Sequence, residues 1–423
     1  MIDLKLLREN PDLVRRAVAD RGDPADVEKI IELDAIRRKG IVDLETLRQE
    51  RNRLSEEVGR RKKKGETVDD LAARSREVGE KLKAVEENQK QVEIEFERLA
   101  QFLPNIPHAS VPVGKGNEHN RFVRGLSAPP TYDFKPLPHW EIGEALDIID
   151  LKRSVKVAGS RFILLKGAGA ALERALINFF LDLHTRRHGY REVMPPVLNN
   201  PGALFGTGQL PRLADEMYKC ATDDLYLAPT AEVPVTNMHQ NEILAEKDLP
   251  LRYAAYTPCF RREAGSYGKD VRGITRVHQF NKVELVKLTT PETGYDEFEK
   301  LLGDAETVAK MLGLPYRILL LCTGDMTSAA AKTYDIEIYA PGMGEWLEVS
   351  SVSCYEQYQS RRGQIRYRKA TGGVDYVYTI NGSGLALPRT FISIVEHCQT
   401  ADGRILVPEV LRPYLEGREY LVP

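Results

Sequence analysis

The segment TPCFRREAG at 257–265, followed by RVHQFNKVELVKL at 276–288, decides the fold. The first reads as the end of a strand. The second reads as a strand returning beside it across a polar, glycine-bearing connection. Arg261 and Glu263 fall at the end of the first strand, and Phe280 and Glu284 fall on the second. Residues four apart on a strand point to one face, so Phe280 and Glu284 share a surface. Val277 has the opposite parity and would offer its backbone there. A guanidinium, a flat ring and carboxylates on one hairpin are the parts needed to hold a phosphate, a planar base and an ammonium group.

Downstream, a helix is expected near 291–313, ended by Gly313 and Pro315. Strands are expected near 316–322, 334–340, 345–352 and 374–380. The last leads into INGSGLALPRTFISIVEHCQ, 380–399, where Pro388 suits the first turn of a helix and sets Arg389 near its N-terminus. Upstream, 163–200 reads as strand, glycine-bearing turn, long helix and strand. Leu172, Leu176, Phe179, Phe180 and Leu183 make one apolar helix face, suited to an intrachain core or to an interface. GAGA at 167–170 lacks the GxGxxG spacing, so close helix–strand packing is its expected role. Strand runs with flanking helices, without regular βαβ alternation, indicate an α+β fold with a mainly antiparallel sheet. Neither a Rossmann fingerprint nor a GxxxxGK[ST] loop occurs.

Residues 27–103 differ in character. Val78, Leu82, Val85, Gln89, Val92, Phe96, Leu99 and Leu103 step by four and three, which is heptad spacing. Ile30, Ile41, Leu44, Leu47, Leu54 and Val58 give a looser version on the preceding arm. Gly65 and the polar residues after it read as a turn between two antiparallel helices. The basic run Arg60, Arg61, Lys62, Lys63 and Lys64 at that turn is either a solvated tip or a probe for a polyanion. The chain thus divides into 1–103, a Pro-, Gly-, Asn- and His-rich linker at 104–138, and a mixed region at 139–423.

A net charge of −2 argues against nucleic acid binding over the whole surface, though not against a local basic patch. The five cysteines show no CxxC spacing, so neither a zinc site nor a disulfide framework is indicated, and buried free thiols are expected. The sequence has no apolar run of about 18 residues, and its acidic N-terminus is unlike a targeting peptide. A cytoplasmic protein without a membrane partner is expected.

The strings TAEVP at 230–234, FRREAG at 260–265, HQFNKVELVK at 278–287, EVSS at 348–351 and NGSGLALPRT at 381–390 occur in one order. In them, and along essentially its whole length, the chain resembles bacterial-type seryl-tRNA synthetases, members of class II of the aminoacyl-tRNA synthetases. The resemblance implies a tRNA-binding arm within 1–103 and a catalytic domain at 139–423. Motif 1 would span about 167–196, motif 2 about 253–288 and motif 3 about 380–399. Family members often carry a small residue or an arginine near Ala171, so alanine there says little. Many carry cysteine and asparagine where this chain has Val352 and Cys354, and neither replacement removes a charge.

The implied ligase activates L-serine with ATP and transfers it to tRNA(Ser), and to tRNA(Sec) in organisms that have it. A serine carboxylate is ionised at neutral pH, since an α-carboxyl titrates near ~3.5, so no general base is needed. Alignment and charge stabilisation remain for the site to supply. The resemblance makes Arg261 the clamp on the α-phosphate and carboxylate, against the plainer reading of a salt bridge to Glu263. Arg262 adjoins it in the same string, and Glu263 would read the adenine or its ribose side. Phe280 would stack on adenine, or else pack in the core, and Val277 would touch ATP. Glu348 and Ser351, with Val349 and Ser350 between them, would hold Mg²⁺ on the triphosphate, and no zinc is implied. Arg389 would meet the terminal phosphate.

Thr230, Ala231 and Glu232 correspond to the ammonium site. Glu284 with Ser383 or Asn381 would bind the serine hydroxyl, and threonine would be excluded by lack of space. The family implies a homodimer and an arm whose basic tip meets tRNA. A carrier-protein ligase of the same fold would lack residues 27–103. A catalytically silent paralogue would not need Arg261, Glu284, Glu348 and Arg389.

Overall fold

A computed structural model describes residues 1–264 and 272–422. The connection at 264–273, which suits either a segment that orders around ligand or a passive hairpin link, lies almost wholly outside the described residues. The chain forms two compact units, residues 3–19 with 23–104, and residues 1–2 and 20–22 with 105–423.

In the first unit, α1 (Val27–Lys63) and α2 (Asp69–Ala100) pack along their lengths. Asp26 caps α1 by accepting from the Lys29 backbone N–H at 3.0 Å. At about 1.5 Å per residue, α1 is about 55 Å long. Gly65, at φ +73°, makes the turn, a left-handed conformation that favours glycine. Arg37–Glu93 (2.6 Å), Arg48–Glu86 (2.9 Å) and Arg74–Glu50 (2.8 Å) run between the helices in antiparallel register. Val78, Leu82 and Phe96 of the heptad are buried. Gln89, the polar break in that heptad, donates to the Arg37 carbonyl at 3.2 Å. Gly40 makes room for it, since a Cβ there would stand 2.1 Å from Gln89 Oε1. At the tip, Arg60 and Arg61 pair with Glu57, and Arg61 also faces Glu66 and Asp70. Lys62, Lys63 and Lys64 are exposed and form no ion pair among the described residues.

The second unit is built on one sheet whose eight described strands are β1 (Arg121–Gly125), β2 (Arg191–Glu192), β3 (Leu251–Phe260), β4 (Gln279–Thr289), β5 (Tyr316–Leu320), β6 (Lys332–Ala340), β7 (Glu345–Glu356) and β8 (Tyr378–Ala386). Their order is β1-β5-β6-β7-β8-β4-β3-β2, and every pairing except β2 with β3 is antiparallel. The helices α3 (Gly167–Arg186), α4 (Gly294–Met311) and α5 (Leu387–His397) cover the face that carries Val283 and Leu285. Leu172, Leu176, Phe179, Phe180 and Leu183 of α3 are buried in that core, so the apolar stripe is intrachain packing.

Four features differ from the sequence reading. The strand expected ahead of the GAGA segment is only an isolated bridge of Leu165 with Ile149. The 104–138 stretch contributes β1, an edge strand paired with β5, although its Pro and Gly content suggested only a linker. The strand expected at 374–380 is two: Val374–Tyr376 joins a separate small sheet, and NGSG at 381–384 lies inside β8. Gly167–Ala170 form the first turn of α3 rather than a turn before it. The packing role of GAGA holds at Gly169, against Ile148 rather than a strand. A Cβ at Gly169 would lie 2.5 Å from the Ile148 carbonyl oxygen.

Gly169→Ala should therefore destabilise the protein by about 1–3 kcal/mol, the usual cost of overpacking. In contrast, Gly303, inside α4 with open space at its Cβ position, should gain about 0.5–1 kcal/mol on substitution by Ala. Urea denaturation of both variants checks the pair, and an equal effect at the two sites would contradict it.

Candidate active site

The sheet face opposite the helices carries a cavity of about 390 Å³. It exists because strand alternation sends one parity of β4 into the helical core and the other parity outward. Val283 and Leu285 are fully buried beneath, while Phe280, Lys282 and Glu284 line the cavity. The β3–β4 register pairs Cys259 with Phe280 and Ala255 with Glu284, which places Arg261 just past the end of β3 beside the Phe280 ring. The Arg261 guanidinium stands 5.3 Å from that ring's centroid, and its Nε donates to the Pro229 carbonyl at 3.3 Å. Glu263 instead faces Arg276 at 3.7 Å, from a backbone at φ +50°. Positive φ is uncommon outside glycine and marks a constrained position next to the cavity.

Two strand irregularities bring further groups in. In β7 the register against β6 slips between Glu348 and Ser350. Such a bulge inserts one residue and restores the facing of the residues beyond it. Glu348 and Ser351, three apart, thus both line the cavity, as does Val349. In β8, Asn381 and Ser383 share a face and line it, and a second register shift comes after Ser383. Arg389, in the first turn of α5, donates to the Glu348 carboxylate at 3.1 Å and to its backbone carbonyl at 2.7 Å. Thr230 and Glu232 enter from the segment leading into the short helix Glu232–Asn237. Val277 lies ahead of β4, buried in the core at the cavity edge.

Three expected residues stand outside the lining. Ala231 is packed in an apolar cluster with Val235 and Tyr253. Ser350 is buried and donates to the Ser383 carbonyl at 2.7 Å, bracing β7 on β8. Arg262 is exposed, and its backbone N–H bonds the Glu216 carbonyl at 2.9 Å.

The electrostatics divide the cavity. Around Glu348, desolvation acts upward, but Arg389, Arg261 and Lys282 prevail and hold its carboxyl below the ordinary value. Its side chain keeps 44% exposure, so it remains open to a ligand. Asp335 of β6 sits behind, pushed well up by burial and by Glu348, with Oδ1 buried and without a hydrogen-bond partner. At the other end, burial and the neighbouring Glu284 push the Glu232 carboxyl up to about 7, against donation from Gln359 and the charge of Lys282. Glu284 accepts from Thr230 Oγ1 at 3.3 Å and pairs with Lys282 Nζ at 2.5 Å. Arg261 and Arg389 therefore meet around Phe280 and Glu348, with Asp325 and Asp335 nearby, while Glu232, Glu284 and Lys282 line the deep end.

Residues 1–107 match a family model described as the seryl-tRNA synthetase N-terminal domain. Residues 218–398 match the tRNA synthetase class II core domain (G, H, P, S and T). The serine–tRNA ligase of Thermodesulfovibrio yellowstonii is 51% identical over 419 residues, covering 98% of this chain and 99% of its own. That of Geobacter sulfurreducens is 50% identical over 418 residues, 99% of each chain. The chain belongs to the seryl-tRNA synthetase family. A crystal structure of the Pyrococcus horikoshii enzyme of this family, complexed with ATP, superposes with a TM-score of 0.94 at 38% identity, covering 100% of both chains.

Sequence reasoning missed several lining residues of this family member. Lys282 lies between Phe280 and Glu284 with the same parity, so alternation alone was enough to find it. Asp335, Thr333, Ser353 and Tyr355 line the cavity from β6 and β7, and only the strand order brings them there. Lys282→Met would leave buried Glu284 without its ion partner and should cost about 1–3 kcal/mol of stability. Unfolding by urea measures this, and unchanged stability would contradict the pairing.

Proposed function

We propose that this chain is a serine–tRNA ligase that forms seryl-adenylate from L-serine and ATP, releasing pyrophosphate, and then esterifies the terminal ribose of tRNA(Ser). Where an organism has tRNA(Sec), the same reaction serves it. The observation that carries the proposal is one cavity in which Arg261 and Arg389 stand beside a flat ring and Glu232 and Glu284 stand at the deep end. In this reading adenine rests on Phe280, Glu263 meets its polar edge or the ribose, and Arg261 bridges the α-phosphate and the serine carboxylate. Its planar fork suits two anionic oxygens better than a lysine point charge would. Arg389 meets the terminal phosphate, where the start of α5 adds favourable field.

The serine ammonium group faces Glu232 and Thr230, and its hydroxyl bonds Glu284 with Asn381 or Ser383. Burial makes that recognition strict, because an analogue without the hydroxyl strands these groups unpaired. Mg²⁺ fits the donor set: Glu348 and Ser351 offer hard oxygens, and Asp335 Oδ1 is an unused one. Among the described residues no cluster of three or more His, Cys, Asp or Glu side chains is placed to hold an ion unaided. Bound with ATP, the ion would neutralise charge on the triphosphate. The family reading makes the protein a homodimer, with the motif 1 stretch at its interface. The family reading makes the protein cytoplasmic, and no described helix is long and apolar enough to cross a membrane.

Serine-dependent ATP–pyrophosphate exchange, with subsequent transfer of labelled serine to tRNA, tests the function. Exchange without transfer would favour a carrier ligase, and no exchange would contradict the proposal. Glu284→Ala should abolish most serine-driven exchange, and near wild-type kinetics would refute its role. Neutralising Lys62, Lys63 and Lys64 should leave exchange intact but weaken tRNA binding. The slope of log affinity against log salt should become shallower by about 2–3. An unaltered slope would remove the tip from the interface.

A further inference from the structure

We propose that Gln359 is the positioning residue for Glu232, holding its carboxylate in place and ionised to receive the serine ammonium group. The inference rests on Glu232 being the partner of that ammonium group. Gln359 is fully buried in the short helix Tyr358–Gly363 and lies outside the cavity lining. Its Nε2 donates to Glu232 Oε1 at 2.6 Å and to the Thr207 backbone carbonyl at 3.1 Å. Its Oε1 accepts from Thr379 Oγ1 at 2.7 Å.

A backbone carbonyl has no proton to give, so the atom facing Thr207 is the amide nitrogen. Both amide hydrogens are then committed, one to that carbonyl and one to the carboxylate. Gln359 is therefore a donor only toward Glu232, and a short bond from a fixed donor favours an ionised acceptor. The other groups facing Glu232 are Glu284 and Lys282 of β4, Tyr355 of β7 and Asn381 of β8. Burial and Glu284 oppose its ionisation. Of the groups that favour it, Gln359 holds the carboxylate in a short hydrogen bond, while Lys282 acts through its charge. Three separate segments anchor the amide: the end of the helix Pro201–Thr207, strand β8 and its own helix. Serine affinity is thus tied to packing behind the cavity.

The test is the pH profile of kcat/KM for serine in pyrophosphate exchange, with the full chain and saturating ATP. The binding form has Glu232 ionised, so efficiency falls as pH drops through its pKa. Removing the donor raises that pKa, so the acid limb moves to higher pH. Gln359→Met should move it by about one unit, which is about tenfold in efficiency near pH ~6. KM for ATP should stay unchanged, and efficiency above both limbs should return toward wild type. Gln359→Leu, which also removes the donor, should move the limb in the same direction and is read alone if the Met variant folds poorly. An unmoved limb would overturn the inference, as would parallel losses in serine and ATP affinity at all pH values. Glu232→Gln separates the two readings. If it binds serine like wild type, the role of Glu232 falls. If it loses serine while the Gln359 limb stays put, only the role of Gln359 falls.

Discussion

Strand alternation along β4 is the constraint on which the site depends. Val283 and Leu285 must be inside, because three helices close over that face. With the core fixed, Phe280, Lys282 and Glu284 have no choice but the opposite face. A one-residue slip would exchange the two sets, burying the charges under the helices and exposing the aliphatics. Core packing thereby holds the register of the chemistry, and burying each such side chain contributes about 1.5–3 kcal/mol.

The cavity is polar at a depth where polar groups are costly, and the structure meets that cost by pairing. Lys282 pairs with Glu284, Arg389 with Glu348, and Gln359 donates to Glu232. The exceptions are informative. Asn381 Nδ2, Asp335 Oδ1 and Thr275 Oγ1 are buried without hydrogen-bond partners. All three belong to lining residues, where a bound substrate or its ion could complete them.

Much of this was legible in the chain. The hairpin, the shared facing of Phe280 and Glu284, the helical arm with its glycine turn and the start of α5 at Pro388 all come from periodicity and turn chemistry. The rest depends on information that pairs of distant strands supply together. A bulge such as that at 348–350 is an agreement between β7 and β6, and neither strand announces it. The β1 edge strand sits in a Pro- and Gly-rich stretch whose local signals point to a linker. Gln359 belongs to no motif, and its neighbours Thr207, Glu232 and Thr379 are scattered through the sequence. Lys282 is different: its parity was plain, but a lysine in mid-strand reads as a solvated charge until its carboxylate partner is seen.

The central claim is that one sheet face holds ATP and serine together, with Arg261 and Arg389 on phosphate and the deep carboxylates on the amino acid. A crystal structure with a non-hydrolysable seryl-adenylate analogue tests it most directly. The expected complex has adenine against Phe280, the phosphate mimic at Arg261, the ammonium group at Glu232 and the serine hydroxyl at Glu284. An analogue bound with its amino acid end toward Glu348 and Arg389, or outside this cavity, would contradict it.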